Sequence, residues 1–240
     1  MLTELFLLGR GSEAIDAEDR RILEESAADI RTYPTRCCLV RQNEPVKHST
    51  LLLEGCIVRY MDDREGYRQL VAIHVAGDFV DLHGFPMKRL DHDVATIGPV
   101  KVAEYPHESI ERIVEERPRL TRLLWFSTLL DAAMHREWIF RLGRLGADGR
   151  VAHFFCELNC RLEMIGQADG GRFNIPLTQA DLAEACGLTG VHVNRVLRAL
   201  REQGLMRFHR GVVELLDLAG LKVLAEFDPS YLYGTNTRGG

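Results

Sequence analysis

Residues 178–204 read TQADLAEACGLTGVHVNRVLRALREQG, and their spacing constrains the fold more than any other stretch of the chain. Thr178 can cap a helix running through Leu182 and Ala185, with Asp181 placed to close a capping box. Gly187 supplies the left-handed residue that ends it. Thr189 then caps a second helix, which runs to Gln203 and stops at Gly204. Ala183 is small enough to let the second helix cross close above the first. Leu182, Leu188, Val193 and Val196 are the apolar positions that two such helices bury between them. A small residue, a glycine four later and a valine six after that make helix-turn-helix spacing.

The second helix is two-faced. Val193, Val196, Leu197 and Leu200 fall on one side, and Val191, Asn194, Arg195 and Arg198 on the other. That outer face suits a major groove: arginine matches guanine or phosphate, asparagine matches adenine or phosphate, and valine can meet a thymine methyl. LMRFHRGVVEL follows, two short β runs turning at Arg210-Gly211, which reads as a wing with His209 and Arg210 at its tip for backbone contact. The partner these residues point to is double-stranded DNA.

The overall charge argues the other way, since the formal net charge is −5. The sum hides an asymmetry. Residues 1–149 hold 20 Lys/Arg against 25 Asp/Glu, while residues 150–240 hold 10 of each. Within 189–211 five arginines (195, 198, 201, 207 and 210) face one acid, Glu202, a local +4.

Upstream the texture differs. After a helical lead-in of about 30 residues come β-rich runs at Thr35–Val40, Ser49–Tyr60, Arg68–Val75 and Val94–Tyr105, separated by turn residues such as Glu65-Gly66, Gly77-Asp78 and Gly98-Pro99. This predicts a small β-sandwich or barrel. His107–Glu116 reads as a short helix, and Pro118 opens a long one to about Gly143. Along it Leu120, Leu123, Ser127, Leu130, Met134 and Trp138 recur at spacings of three and four, the seam expected to pair with its own copy across residues 119–142. Gly143, Gly146, Asp148 and Gly149 mark a hinge. The expected division is 1–117, 118–146 and 147–240.

These features together resemble the Crp/Fnr superfamily of bacterial transcription regulators, over roughly residues 35–225. Leu53-Glu54-Gly55, Glu65-Gly66 and Gly77-Asp78-Phe79 match turn positions of its cyclic-nucleotide-binding-type β-roll. The resemblance implies an α+β fold: an N-terminal β-roll, a long dimerisation helix and a C-terminal winged helix-turn-helix. It also implies a homodimer on a two-fold operator, with RNA polymerase as a further partner. Thr178, Gln179, Thr189, Val191, His192, Asn194, Arg195, Arg198, His209 and Arg210 become the expected DNA-contacting set, with Arg195 on the family's base-contacting arginine. Val191 falls where many members carry a base-reading glutamate, so the operator is expected to differ from the usual half-site.

The effector is less legible. The family's nucleotide pocket needs an acid for the ribose and an Arg-Ser pair for the phosphate. Asp81 stands near the acid position, but Asp91-His92-Asp93 occupies the place of Arg-Ser, and carboxylates repel phosphate. Cyclic-nucleotide dependence is therefore not expected, and Asp81, Asp91 and His92 are the candidate lining of an effector pocket. Six cysteines (37, 38, 56, 156, 160 and 186) include no CxxC, and adjacent Cys37-Cys38 is poor spacing for an iron–sulfur cluster. Haem would need an axial ligand, and nothing selects one among His48, His74, His83, His92 and His107. On the helix from Arg150 to Met164, His153, Cys156 and Cys160 share a face, a candidate metal or redox site. The alternatives kept open are thus a metal-, redox- or haem-responsive regulator of the same fold, or a nucleotide-binding module acting through protein contacts.

An enzyme is not expected, because no P-loop, HExxH, nucleophile elbow or Rossmann glycine pattern occurs. The free-thiol usage and the lack of a signal peptide or an apolar membrane span predict a cytoplasmic protein.

Overall fold

The computed structural model describes residues 1–10 and 15–235. In chain order the elements are α1 (Ala17–Glu25), β1 (Asp29–Tyr33), β2 (Cys38–Val40), β3 (His48–Glu54), β4 (Ile57–Asp62), β5 (Arg68–His74), α2 (Gly84–Met87), β6 (Asp93–Thr96) and β7 (Val100–Pro106). Helices α3 (His107–Glu116), α4 (Pro118–Arg144) and α5 (Ala147–Met164) follow. The last part holds β8 (Arg172–Asn174), α6 (Gln179–Cys186), α7 (Gly190–Glu202), β9 (Met206–His209), β10 (Val212–Leu215) and α8 (Leu218–Leu224). Among the described residues no helix is long and apolar enough to cross a membrane.

Two antiparallel sheets make the roll, in strand orders β1-β7-β3 and β2-β6-β4-β5. Side chains alternate across a strand, and here both sides of both sheets are used. Leu52, Val100 and Val102 point between the sheets with Ile57, Val80, Leu90 and Val94. Their neighbours Leu51, Ala103 and Tyr105 face the other way, onto Phe6, Leu23, Ile110, Ile113, Leu120 and Leu123 of the helical cover. On the four-stranded sheet, Val58, Tyr60, Leu70, Ala95 and Ile97 face outward into a third core. That core is completed by Phe154, Phe155, Phe173, Leu182, Val193 and Leu200 of the C-terminal region. The roll and the helix-turn-helix unit are thus welded through a common apolar core.

The expected runs needed subdivision. Ser49–Tyr60 is two strands broken at Gly55, whose φ of 93° only glycine tolerates easily. Val94–Tyr105 likewise splits at Gly98-Pro99. Among its described residues the lead-in is α-helical over α1, and it conceals β1.

The expected self-pairing seam is corrected by the structure. Leu120, Leu123, Leu130, Met134 and Trp138 are buried within their own chain. Leu120 and Leu123 join the helical cover, and Met134 and Trp138 join the shared core. A different stripe of α4 is left open, with Trp125 64% and Ile139 71% exposed and Leu129 and Arg136 also exposed. Trp125, Leu129, Ala132, Arg136 and Ile139 alternate spacings of four and three, the repeat that suits helix pairing.

A buried charge network joins the parts. Arg161 on α5 meets Asp78 of the roll at 2.6 Å and Glu157 at 3.3 Å. Glu157 also accepts from Trp138 Nε1 of α4 at 3.2 Å and from the Tyr231 hydroxyl at 2.8 Å. His74 and His153 lie almost wholly buried without hydrogen-bond partners on their ring nitrogens.

Burial holds His74 and His153 at about 4 and half-buried His83 at about 3. The unfolded chain therefore takes up these protons first as pH falls from about 6.5, and folded stability drains at about 1.4 kcal/mol per pH unit for each histidine. Asp81, raised to about 6 by burial, opposes this together with Glu137 and Glu184, also raised by burial, while His92 and His107, lowered by burial, add to it. The melting temperature is expected to fall between pH 7 and 5, and His153→Phe to flatten that fall. An unchanged pH dependence in this variant would refute the assignment.

Candidate nucleic-acid interface

Local sequence builds the helix-turn-helix. Thr178 accepts from the Asp181 amide at 3.2 Å while the Asp181 carboxylate accepts from the Thr178 amide at 2.8 Å, so the capping box is closed in both directions. Gly187 ends α6 in the left-handed region with φ 61°, and Thr189 caps α7 by accepting from the His192 amide. Cations of neighbouring elements steady the far end of α6. Arg141 of α4 donates to the Ala185 carbonyl at 3.0 Å and Arg150 of α5 to the Cys186 carbonyl at 3.4 Å, which suits the negative end of a helix.

Val193, Val196 and Leu200 of α7 are buried and Leu197 partly so, as expected. Val191 is 83% exposed, and His192, Asn194, Arg195 and Arg198 are exposed with it. The wing is the sheet β8-β10-β9, one strand larger than expected. Its turn holds Arg210 and Gly211 at φ 49° and 81°, the pair of left-handed residues a two-residue hairpin requires.

Helix and wing enclose a groove of about 670 Å³ lined by Gln179, Asn194, Arg195, Arg198, Arg201, Arg207, Phe208 and His209. Of the expected set, Gln179, Asn194, Arg195, Arg198 and His209 converge here. Thr178, Thr189, Val191, His192 and Arg210 lie on the surrounding surface, all exposed. Arg201 and Arg207 line the groove too, although the sequence placed them only within the local excess of charge. The signal was available in Arg201, one helical turn beyond Arg198. The arrangement is a concave cationic surface with a protruding helix, suited to duplex phosphates and base edges.

A second groove, of about 630 Å³, lies between the roll and α4. Asp91 and His92 line it, with His83, Arg59, Asp131, His135 and a largely apolar wall including Leu70, Trp138 and Ile139. Asp81 does not line it, which corrects the expectation. Its carboxylate is buried inside the roll, accepting from the Thr50 amide at 2.5 Å and hydroxyl at 3.0 Å. The Arg59 guanidinium is engaged by the Val80 carbonyl at 2.7 Å and Asp131 at 2.6 Å. Burial alone would raise the Asp131 carboxyl, but Arg59 overrides it and holds it at about 2. His92 donates toward Asp91 at 2.8 Å, and burial, aided by Arg59, lowers both His83 and His92, leaving neutral imidazoles.

The expected metal trio does not converge. Among the described residues no group of three or more His, Cys, Asp or Glu side chains could hold a metal ion. The reason is that α5 is packed on nearly every side. His153 sits against Phe227 and Tyr231, and burial pushes the Cys156 thiol up to about 12, far from a thiolate.

Two family models match the chain, a cyclic nucleotide-binding domain over residues 30–117 and a Crp-like helix-turn-helix domain over residues 149–224. The nitrogen fixation regulation protein FixK of Bradyrhizobium diazoefficiens is 30% identical over 174 residues, covering 72% of each chain. The transcriptional activator protein anr of Pseudomonas aeruginosa is 23% identical over 212 residues, 88% of this chain and 86% of that one. The solved structure of FixK2 from Bradyrhizobium japonicum superposes with a TM-score of 0.75 at 25% identity, covering 82% of this chain and 96% of that one. By name the first of these relatives is a regulation protein and the second a transcriptional activator. The nucleotide-binding likeness covers the roll, and in the groove Arg59 is already paired with Asp131 while Asp91 adds a carboxylate to the wall. Calorimetry with cyclic AMP and cyclic GMP is expected to show no heat of binding, and a clear saturable heat would overturn this reading of the groove.

Proposed function

The chain belongs to the Crp/Fnr superfamily of transcription regulators, and from that premise we propose how its residues divide the work. It is a DNA-binding regulator of homodimeric Crp/Fnr-type architecture. Residues 1–117 form the sensory roll, 118–146 the dimerisation helix and hinge, and 147–240 the reader. The observation that carries this reading is the arginine-lined groove between α7 and the wing, continuous with the exposed face of α7.

In this proposal Arg195, Asn194 and Val191 meet base edges in the major groove. Arg198, Arg201, Arg207, His209, Arg210, Thr178, Gln179, Thr189 and His192 hold the backbone. Two copies related by the dimer axis present α7 to successive major grooves about 34 Å apart. Val191 offers a methyl surface where a carboxylate would accept from a cytosine amino group, so the preferred half-site is expected to carry a thymine there. Selection of bound DNA from a random pool tests this, and enrichment of cytosine at that step would refute it. RNA polymerase is the protein partner we infer from membership of the family. The effector site we infer is the groove of Asp91, His92 and His83, with its ligand a small molecule other than a cyclic nucleotide.

Base readers and backbone holders should fail differently. Arg195→Ala is expected to cost about 1–3 kcal/mol and to relax specificity at one position, whereas Arg207→Ala should weaken all sequences alike and lower the salt slope by about one per site. Anisotropy titrations over a salt series distinguish the two, and equal behaviour of both variants would remove the division.

The dimer is proposed to pair through the open stripe of α4, Trp125, Leu129, Ala132, Arg136 and Ile139. Ile139→Asp places a charge on that stripe without touching the buried face. Sedimentation should show a folded monomer with weakened operator binding. A variant that stays dimeric would place the seam elsewhere.

A further inference from the structure

Arg36 lies in the turn between β1 and β2, far in sequence from the reader, and adopts a left-handed φ of 61° that is unusual for a residue other than glycine. Its guanidinium reaches across to α6 and grips Asp181 with both arms, Nη1 to Oδ1 at 2.6 Å and Nη2 to Oδ2 at 2.7 Å. The same carboxylate accepts from the Thr178 amide at 2.8 Å and hydroxyl at 2.6 Å. Asp181 is therefore integral to the capping box, and its charge comes with the cap.

That charge lies in the first turn of the reader's first helix, buried on the side that meets the roll. Gln179, in the same first turn of α6, lines the arginine groove with Asn194, Arg195 and Arg198. The first helix of a helix-turn-helix crosses the phosphate backbone, so a bare carboxylate at its start opposes the duplex. Glu184, one turn further along α6, adds a second acid, while Gln69 of the roll donates to the Glu184 backbone carbonyl rather than to its carboxylate, at 2.5 Å. Arg36 is the cation that the fold sets against this acidic turn.

We propose that Arg36, a residue of the sensory roll, is a positioning residue of the DNA-reading surface: it neutralises and fixes the Asp181 cap so that α6 can lie against the phosphate backbone. This rests on the reading of α6 and α7 as the DNA reader. It makes operator affinity depend on a roll turn that touches no base. A lysine at position 36 would keep the charge and lose the two-armed geometry.

The test uses the full-length chain and a selected operator, with affinities measured by anisotropy at low and high salt. Arg36→Gln is expected to weaken binding about fivefold at low salt and much less at high salt, because a single uncompensated charge near phosphates is screened. Arg36→Lys should keep most of the affinity. Asp181→Asn should bind at least as tightly as the parent, and adding Arg36→Gln to it should change nothing further. The proposal is overturned if Arg36→Gln binds like the parent. It is equally overturned if Arg36→Gln weakens binding as much in the Asp181→Asn background as in the parent, since Arg36 would then act on DNA or on the fold directly. Melting temperatures of all variants separate a folding loss from a loss of affinity, and should Asp181→Asn fail to fold, the contrast between Arg36→Lys and Arg36→Gln decides. A parent chain that binds no DNA sinks the reader and this proposal together, whereas a parent that binds DNA no better than Arg36→Gln sinks this proposal and leaves the reader standing.

Discussion

The architecture depends on the outer face of the four-stranded sheet being apolar. An antiparallel sheet can leave one face to water, but β4, β5 and β6 send Val58, Tyr60, Leu70 and Ala95 outward into the same core as Phe154, Phe155 and Leu182. Once that face must be covered, the reader has to dock on the roll, and α4 and α5 have to run where they close the gap. The polar links then fix the docked arrangement: Arg161 with Asp78, Gln69 with the α6 backbone, and Arg36 with Asp181. Shared apolar area supplies most of the attraction, and these three polar links add directional contacts to it.

The same docking explains how an acidic chain handles DNA. The excess of carboxylates belongs wholly to residues 1–149, and many are held in pairs, Asp131 with Arg59 and Glu18 with Arg21 among them. The reader presents its arginines along one groove. Exposed charge acts over roughly a Debye length of about 8–10 Å, so the composition of that groove matters to a duplex and the distant total does not.

What was legible in the sequence was local. Thr178, Asp181, Gly187, Thr189 and the Arg210-Gly211 turn each act within four residues of themselves, and each formed the cap or turn its chemistry demands. Strands were legible where apolar alternation is strong. Strand β1, reading Asp-Ile-Arg-Thr-Tyr, is exposed along most of its length and held by pairing with β7, so its composition carries no burial signal. Spacing failed on α4 and α5 for one shared reason. A helical period says which residues share a face, but not what covers that face. Helix α4 has two apolar stripes, and the one with the more regular apolar spacing is the core stripe. Helix α5 has no solvent face broad enough for His153, Cys156 and Cys160 to receive a metal.

Helix α4 therefore serves three neighbours at once. Its inner stripe completes two cores, Asp131 and His135 wall the groove, and the Trp125 to Ile139 stripe is left open. The Arg59–Asp131 pair ties the groove wall to strand β4 with Arg59 almost fully buried. A ligand phosphate that displaced Asp131 from that guanidinium would leave a carboxylate without its partner, and breaking a buried pair in this way costs about 3–5 kcal/mol. A ligand that leaves the pair intact and fills the apolar wall meets no such penalty.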